Sequence, residues 1–363
     1  MLRRLATFLA ALAVLTLAPA RPGAAAPGGW WNETTGSSVA VNGTYVPLVG
    51  DFAGSSTADI IWYAPGSGTD FLWTSNGSGG FTKAPLSRQI NGTYTPIVGD
   101  FAGDLRDDVF WYGPGTAADF LWIFDNGTPT SVGKAISGTY QPHVLPESNV
   151  SWGGKDKILW YAPGTTADSI WRFTNAAGSH ASVAASIAGS PRPLIGDFDG
   201  NGVIDIVWYN PGTATETYWR ANGPNATYGA TTFSVTGTYT PIVHDLTPNG
   251  DGRSDIAWYR NGSTVFNVWQ GKADGTWSTD VWSTNGRGTP LPAAVSWGYL
   301  HFYDPAGPDR IWYLNDGAPP SDQPSGNTEL GSGYTPLVGV FEGLTPDIFW
   351  YKAGSAPEYL FTS

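Results

Sequence analysis

The apolar residues of this chain come in short unbroken runs rather than at helical spacing. "DVFWY" (108–112), "FLWIF" (120–124) and "DIVWY" (205–209) are representative. Runs of this length, rich in Val, Ile, Phe, Trp and Tyr and bounded by turn residues, predict β-strands. They do not alternate cleanly between apolar and polar, which predicts strands covered on both faces. Between them stand Gly, Pro, Asn and Asp, as in "GPGT" (113–116) and "DNGT" (125–128). The Asn-Gly pair of the latter suits the positive φ values of a tight hairpin. Past the first residues, no stretch of ten or more shows a clean helical period, so the chain reads as all-β.

The runs recur in a constant order. Trp-Tyr begins at Trp62, Trp111, Trp160, Trp208, Trp258, Trp312 and Trp350, at intervals of 49, 49, 48, 50, 54 and 38 residues. Seven copies at one period predict a repeat fold. In the second copy "GTYTPIVGDF" (92–101) supplies a first strand and "DDVFWY" (107–112) a second. "DFLWIF" (119–124) is the third and "SVGKAI" (131–136) the fourth. Four antiparallel strands in about 48 residues is the size of one β-propeller blade, so the expected fold is a seven-bladed β-propeller.

The two ends of the chain fit a closed ring. The last copy stops after "APEYLFTS" (356–363), its third strand, while "WWNETTGSSVAV" (30–41) lies ahead of the first "NGTY". The 13 residues after Trp350 and the 36 from Pro27 through Trp62 together make one repeat length. The N-terminal segment is therefore expected to complete the last blade as its fourth strand and to remove an exposed sheet edge.

Composition sets the surroundings. "MLRR", the apolar "LATFLAALAVLTLA" and small residues ending at Ala26 form the pattern of a secretory signal peptide over 1–26, leaving a mature domain over 27–363. No later segment is apolar for long enough to cross a bilayer. The expectation is a secreted monomer with no membrane insertion after cleavage. There is no cysteine, so an exported chain must be held together without disulfides. A net charge of -12 opposes phosphate backbones and excludes nucleic acid as a partner. Abundant aromatics, with 18 Trp, argue against disorder.

One loop carries candidate chemistry. "GDFDGNGVID" (196–205) places Asp197, Asp199, Asn201 and Asp205 at odd positions around Gly200 and Gly202. Calcium takes about six to eight oxygens from carboxylates, amides, carbonyls and water. Alternate oxygen side chains in a glycine-bearing loop can wrap one ion, with the carbonyl of Val203 as a fifth ligand. Trp208 stands where an EF-hand needs its twelfth-position Glu, so that alternative fails. "HDLTPNGDGRSD" (244–255) repeats the pattern with Asp245, Asn249, Asp251, the carbonyl of Arg253, and Asp255. "GDFAGDLRDD" (99–108) keeps Asp100, Asp104 and Asp108 but has Ala102 in the second ligand place. Two or three calcium ions are expected, in a structural role.

The phrase "GDFDGNGVIDIVWY" (196–209) resembles the FG-GAP/VCBS repeat of integrin α subunits and of many secreted bacterial and fungal proteins. The resemblance extends over all seven copies, although only the fourth and fifth carry an intact acidic loop. It implies a seven-bladed propeller with calcium in the inter-strand loops and a role in adhesion or recognition. A fungal lectin of this fold binds sugars in clefts between blades.

The remaining residues point the same way. The four histidines, His143, His180, His244 and His301, stand in unrelated contexts, and no nucleophile elbow, paired-His motif or P-loop occurs. "GTY" recurs at 43–45, 92–94, 138–140 and 237–239, with "GY" at 333–334. Tyr45, Tyr94, Tyr140, Tyr239 and Tyr334 are candidates for stacking on a ligand at one rim, or else for packing against the next blade. The leading expectation is a non-catalytic module for a glycan or cell-surface ligand. A polysaccharide-acting lyase or glycosidase on the same ring, and a protein-binding scaffold, are the alternatives.

Overall fold

The computed structural model describes residues 32–35, 39–147, 154–164, 168–212, 215–247, 250–283, 288–296, 299–315, 318–324, 330–343 and 345–362. The expected signal peptide over 1–26, Trp30 and Trp31 lie outside the described residues. The strands form seven four-stranded antiparallel sheets, and the first strands of successive sheets meet around a ring: a seven-bladed β-propeller. Blades 1 to 6 take their strands in chain order. Blade 7 is built from Thr335–Gly339, Asp347–Tyr351, Tyr359–Thr362 and, as its outer strand, Asn32–Thr35. Asn32 is in register with Thr362 and Thr35 with Tyr359, so the expected closure is observed.

The second strand of each blade is the most deeply buried. Asp59–Tyr63, Asp108–Tyr112, Lys157–Tyr161, Asp205–Tyr209, Asp255–Tyr259 and Asp347–Tyr351 are buried at all five positions. This explains the unbroken apolar runs: each sheet has a neighbouring sheet on either face. Outer strands such as Phe81–Pro85 are mostly exposed and carry the polar residues that discourage edge pairing.

Two details differ from the reading of the sequence. The fourth strand of blade 2 spans Thr128–Lys134 rather than 131–136, because Asn126 (φ 46°) and Gly127 (φ 75°) form a two-residue turn right after the third strand. In blade 6 the second strand is Tyr299–Tyr303, whereas Trp312 and Tyr313 lie in the third strand, Arg310–Asn315. Phe302-Tyr303 therefore takes the place of Trp-Tyr. Register shows it: Pro96 faces Trp111, Pro193 faces Trp208, and Pro290 faces Phe302. With Phe302 as the marker, the intervals of 54 and 38 become 44 and 48. The strand bounds leave only residues 297–298, Trp and Gly in the sequence, between the first two strands of blade 6.

The dipeptide itself joins the blades. Tyr63 packs on Trp111, Tyr112 on Trp160, Tyr161 on Trp208 and Tyr209 on Trp258, at ring separations of 4.9 to 5.2 Å. Tyr259 then packs on Phe302, Tyr303 on Trp350 and Tyr351 back on Trp62, which closes the circle. Each tyrosine hydroxyl also donates to a backbone carbonyl at the start of the next blade, as Tyr112 does to Gly138 at 2.8 Å. Tyr351 donates to Gly43 across the seam. A buried aromatic ring removes on the order of 150–250 Å² from water. At about 25 cal/mol per Å² that is about 4–6 kcal/mol per ring before conformational entropy is counted.

Tyr112→Phe keeps the ring and removes the hydroxyl, leaving the Tyr140 amide that donates to it at 2.9 Å without its acceptor. The expected loss is about 1–2 kcal/mol, read as a lower urea midpoint with an unchanged denaturant slope.

Candidate functional site

Most blades present a buried carboxylate at one or both of two places, and most of these groups bind the chain to itself. At the first residue of the second strand, Asp108 accepts from the Phe101 and Ala102 amides with one oxygen and from Phe124 with the other. Asp255 bridges Leu246 and Gly271 in the same way, and Asp59 bridges Ala53 and Ser75. At the head of the third strand Asp70, Asp119 and Asp168 each close the preceding turn and hold the chain where it leaves the blade. Asp119 does so through Gly113 at 2.8 Å and Ile136 at 2.7 Å. Glu216 and Glu358 take this place in blades 4 and 7, with Glu358 accepting from Val41 across the seam. These third-strand acids were not singled out in the sequence. Their signal is an Asp or Glu shortly before the second aromatic run, in every copy but the fifth.

Against that background the blade 4 loop stands apart. Asp197, Asp199 and Asp205 bring carboxylate oxygens within 4.8 Å of one another, the one such group of three among the described residues. The glycines make this possible: Gly200 (φ 72°) and Gly202 (φ 82°) turn the chain so that the Asp197 carboxylate accepts from the amides of Gly200, Asn201 and Gly202. Asn201 accepts from the Val203 amide and donates to Asp199. Asp205 is fully buried and accepts from Phe198, Tyr218 and Ala221. Arg220, from the third strand, donates to Asp199 and reaches over to the carbonyls of Ala273 and Asp274 in blade 5. Burial pushes Asp197 up to about 6, helped by the charge of Asp199, and Asp205 up to about 7. A hard cation would relieve both effects, and three carboxylates around a glycine loop are a fitting donor set for calcium.

The other two loops are arranged differently. In blade 5, Asp245 accepts from Thr247 and Gly252, while Asp251 pairs with Arg253. Asn249 lies outside the described residues. Burial lifts Asp255 to about 7. In blade 2, Asp100 accepts from Gly103, Asp104 and Leu105, and Asp104 pairs with Arg106 at 2.7 Å. Successive loops also bond around the ring: the amides of Asp107, Asp156 and Ser254 donate to the backbone carbonyls of Asp51, Asp100 and Asp197 of the preceding blade.

The five candidate tyrosines sit half-buried in the wedges between blades. Tyr45, Tyr94, Tyr140 and Tyr239 each pack edge-on to the Trp of their own blade at 6.0 to 6.4 Å. Their amides donate to the hydroxyl of the preceding blade's tyrosine. The ring folds back over the glycine two residues earlier: a Cβ on Gly43 would meet the Tyr45 ring at 2.6 Å. Arg260 lies over the Tyr239 ring at 4.8 Å and Lys352 over Tyr334 at 4.9 Å. These contacts give the recurrent "GTY" a packing role at the blade junctions.

The four histidines lie on four different strands, in blades 3, 5 and 6. His143 is pushed down to about 4 by burial, and His180 stacks on Trp171 at 3.7 Å. His244 contacts the carbonyl of Asp245, and His301 is buried 3.8 Å from Asp309.

No protein-family model matches the chain, and no curated protein matches it. Solved structures do resemble it. A lectin of Agrocybe aegerita, described for specific recognition of non-reducing terminal N-acetylglucosamine, superposes with a TM-score of 0.64 at 14% identity, covering 88% of this chain and 86% of the lectin. BBS1N, in complex with ARL6DN, gives 0.51 at 11% identity over 92% of this chain and 97% of its own. A rhamnogalacturonan lyase of Bacillus licheniformis gives 0.45 at 13% identity over 93% and 74%. At these identities the likeness is one of fold.

Asp119→Ala strips the acceptor from two buried amides and is expected to cost about 2–4 kcal/mol. Asp125→Ala, at an exposed hairpin tip, should change stability by less than about 0.5 kcal/mol. Chemical denaturation of the two variants checks the contrast.

Proposed function

We propose that this protein is a secreted, calcium-stabilised propeller that recognises glycans without transforming them. The observation that carries the reading is how the buried carboxylates are used. A polysaccharide-cleaving site needs titratable groups facing a substrate, and the recurrent acids of this ring face backbone amides instead. The correspondence with a lectin ring along nearly the full length of both chains supports recognition as the role. Resemblance of the acidic repeat to the FG-GAP/VCBS pattern supports both calcium and display outside the cell.

Calcium acts in this reading on stability. Asp197, Asp199 and Asp205 would hold it, tying the exit of one strand to the start of the next within blade 4. An ion at about a hundred times its Kd adds about 2.7 kcal/mol to the folded state. Melting should therefore fall by several degrees on chelation. Asp199→Ala should melt at the same temperature with and without the ion, and an unchanged wild-type curve would remove calcium from the account.

The recognition reading is tested on a glycan array followed by incubation with the polysaccharides that give signal. Saturable binding with no release of reducing ends or unsaturated products is the expected result. Turnover would assign the ring to an enzyme, and an empty array with a captured protein ligand would assign it to a scaffold.

A further inference from the structure

In three of the acidic loops an arginine stands beside a carboxylate, but blade 4 arranges the pair differently. Asp104 pairs with Arg106 in blade 2 and Asp251 with Arg253 in blade 5, two residues apart in one loop and partly exposed. In blade 4 the Asp199 carboxylate is buried, and its arginine, Arg220, comes from the third strand, Thr215–Ala221. The Asp199 Oδ2 accepts from Nε of Arg220 and from Nδ2 of Asn201, the latter at 3.1 Å. One carboxylate oxygen offers about two lone-pair sites, so these two donors fill it. The same carboxylate belongs to the trio of Asp197, Asp199 and Asp205.

Arg220 is also held from a second side. Its Nη1 and Nη2 donate to the carbonyls of Asp274 and Ala273 in the outer hairpin of blade 5, at 3.2 and 2.8 Å. Gly275 of that hairpin lies against the arginine stem, where an added Cβ would come within 3.2 Å of Cδ. Nε thus serves the carboxylate, while the outer nitrogens serve the next blade. Freed from Asp199, the guanidinium would keep two carbonyl acceptors and its partial exposure to water. Asp199, freed from Arg220, would be a buried carboxylate beside two others, which like charge disfavours. The pair is therefore cheap to open on the arginine side and needs a replacement cation on the other.

We propose that Arg220 competes with the metal ion for Asp199 and so lowers the affinity of the blade 4 loop for calcium. The inference rests on the calcium reading and concerns the regulation of that same site. A divalent ion and a guanidinium on one carboxylate repel each other, so filling the loop moves Arg220 off Asp199 and leaves it to the blade 5 hairpin. Until an ion arrives, the arginine keeps the three carboxylates from repelling one another. The loop is thereby stable in both states, and its affinity falls toward the weak range of extracellular calcium modules.

The test titrates the whole protein with calcium chloride by calorimetry, comparing wild type with three variants. Arg220→Met keeps the stem and removes the charge, and is expected to bind at least tenfold more tightly. Arg220→Gln, neutral but still able to donate, should tighten binding by a smaller factor. Arg220→Lys keeps the charge and should stay within about threefold of wild type. Adding Asp199→Ala to Arg220→Met should abolish the gain. Circular dichroism and melting establish that each variant is folded, and Arg220→Gln decides the matter if Arg220→Met is not. Neutral variants that bind no more tightly than wild type would overturn the competition, as would a gain that survives Asp199→Ala. The two readings fail separately. Calcium bound equally by wild type and the neutral variants leaves the calcium reading standing without the competitor. Calcium bound by the neutral variants but not by wild type does the reverse, and calcium bound by none of them overturns both.

Discussion

The packing of one tyrosine against the tryptophan or phenylalanine of the next blade, repeated seven times, is the contact on which this ring depends. Each second strand carries both partners, one ring facing each neighbour, so a single dipeptide supplies the two halves of two different interfaces. Nothing in the interface is local in sequence except the pair itself. A chain without cysteine is thereby stapled at every interface by an aromatic pair and a hydroxyl-to-carbonyl bond. In five of the seven hydroxyl bonds the accepting carbonyl belongs to a positive-φ glycine. Gly138, at φ 131°, lies so close to the Tyr140 ring that a Cβ would sit 2.8 Å from it.

A second constraint is the disposal of buried backbone amides. Loops that leave and re-enter a ring sandwiched on both sides cannot all reach water, and unpaired amides are costly. The protein meets this with carboxylates, which can take several amides at once. Desolvation then raises the carboxyl groups, with Asp59 up at about 7 despite the amides that favour its charge. Blade 4 departs from the pattern by adding Asp197 and Asp199 beside Asp205, and blade 3 departs from it in the opposite sense with Lys157.

Much of the ring was legible in the sequence because period and burial write directly into residue type. Unbroken apolar runs, turn glycines and the spacing of Trp-Tyr led to the number of blades, the strand order and the closing strand. Blade 6 was misaligned because its marker is Phe302-Tyr303, while a Trp-Tyr pair falls by coincidence in the following strand. Thr289-Pro290 ahead of it was the better guide, since that proline faces the marker residue in the paired strand. The site was less legible because one letter serves two purposes. Asp205 and Asp347 head the same strand and accept the same loop amide, yet only the first has acidic neighbours beside it. The "GTY" tyrosines are ambiguous in the same way: one recurrent aromatic can serve packing or stacking on a ligand, and sequence alone does not show that its ring folds onto its own glycine and tryptophan.

The pairing of Asn32 with Thr362 has a topological consequence. The two ends of the described chain emerge side by side from neighbouring strands of one sheet, so the molecule has no privileged starting point in three dimensions. A short peptide joining them, with a cut at the exposed Ser87-Arg88 link between blades 1 and 2, would give a circular permutant in which the inter-blade contacts persist. The order of blades around the wheel is thus a property of the wheel, and the place where the chain opens is only an accident of how it is encoded.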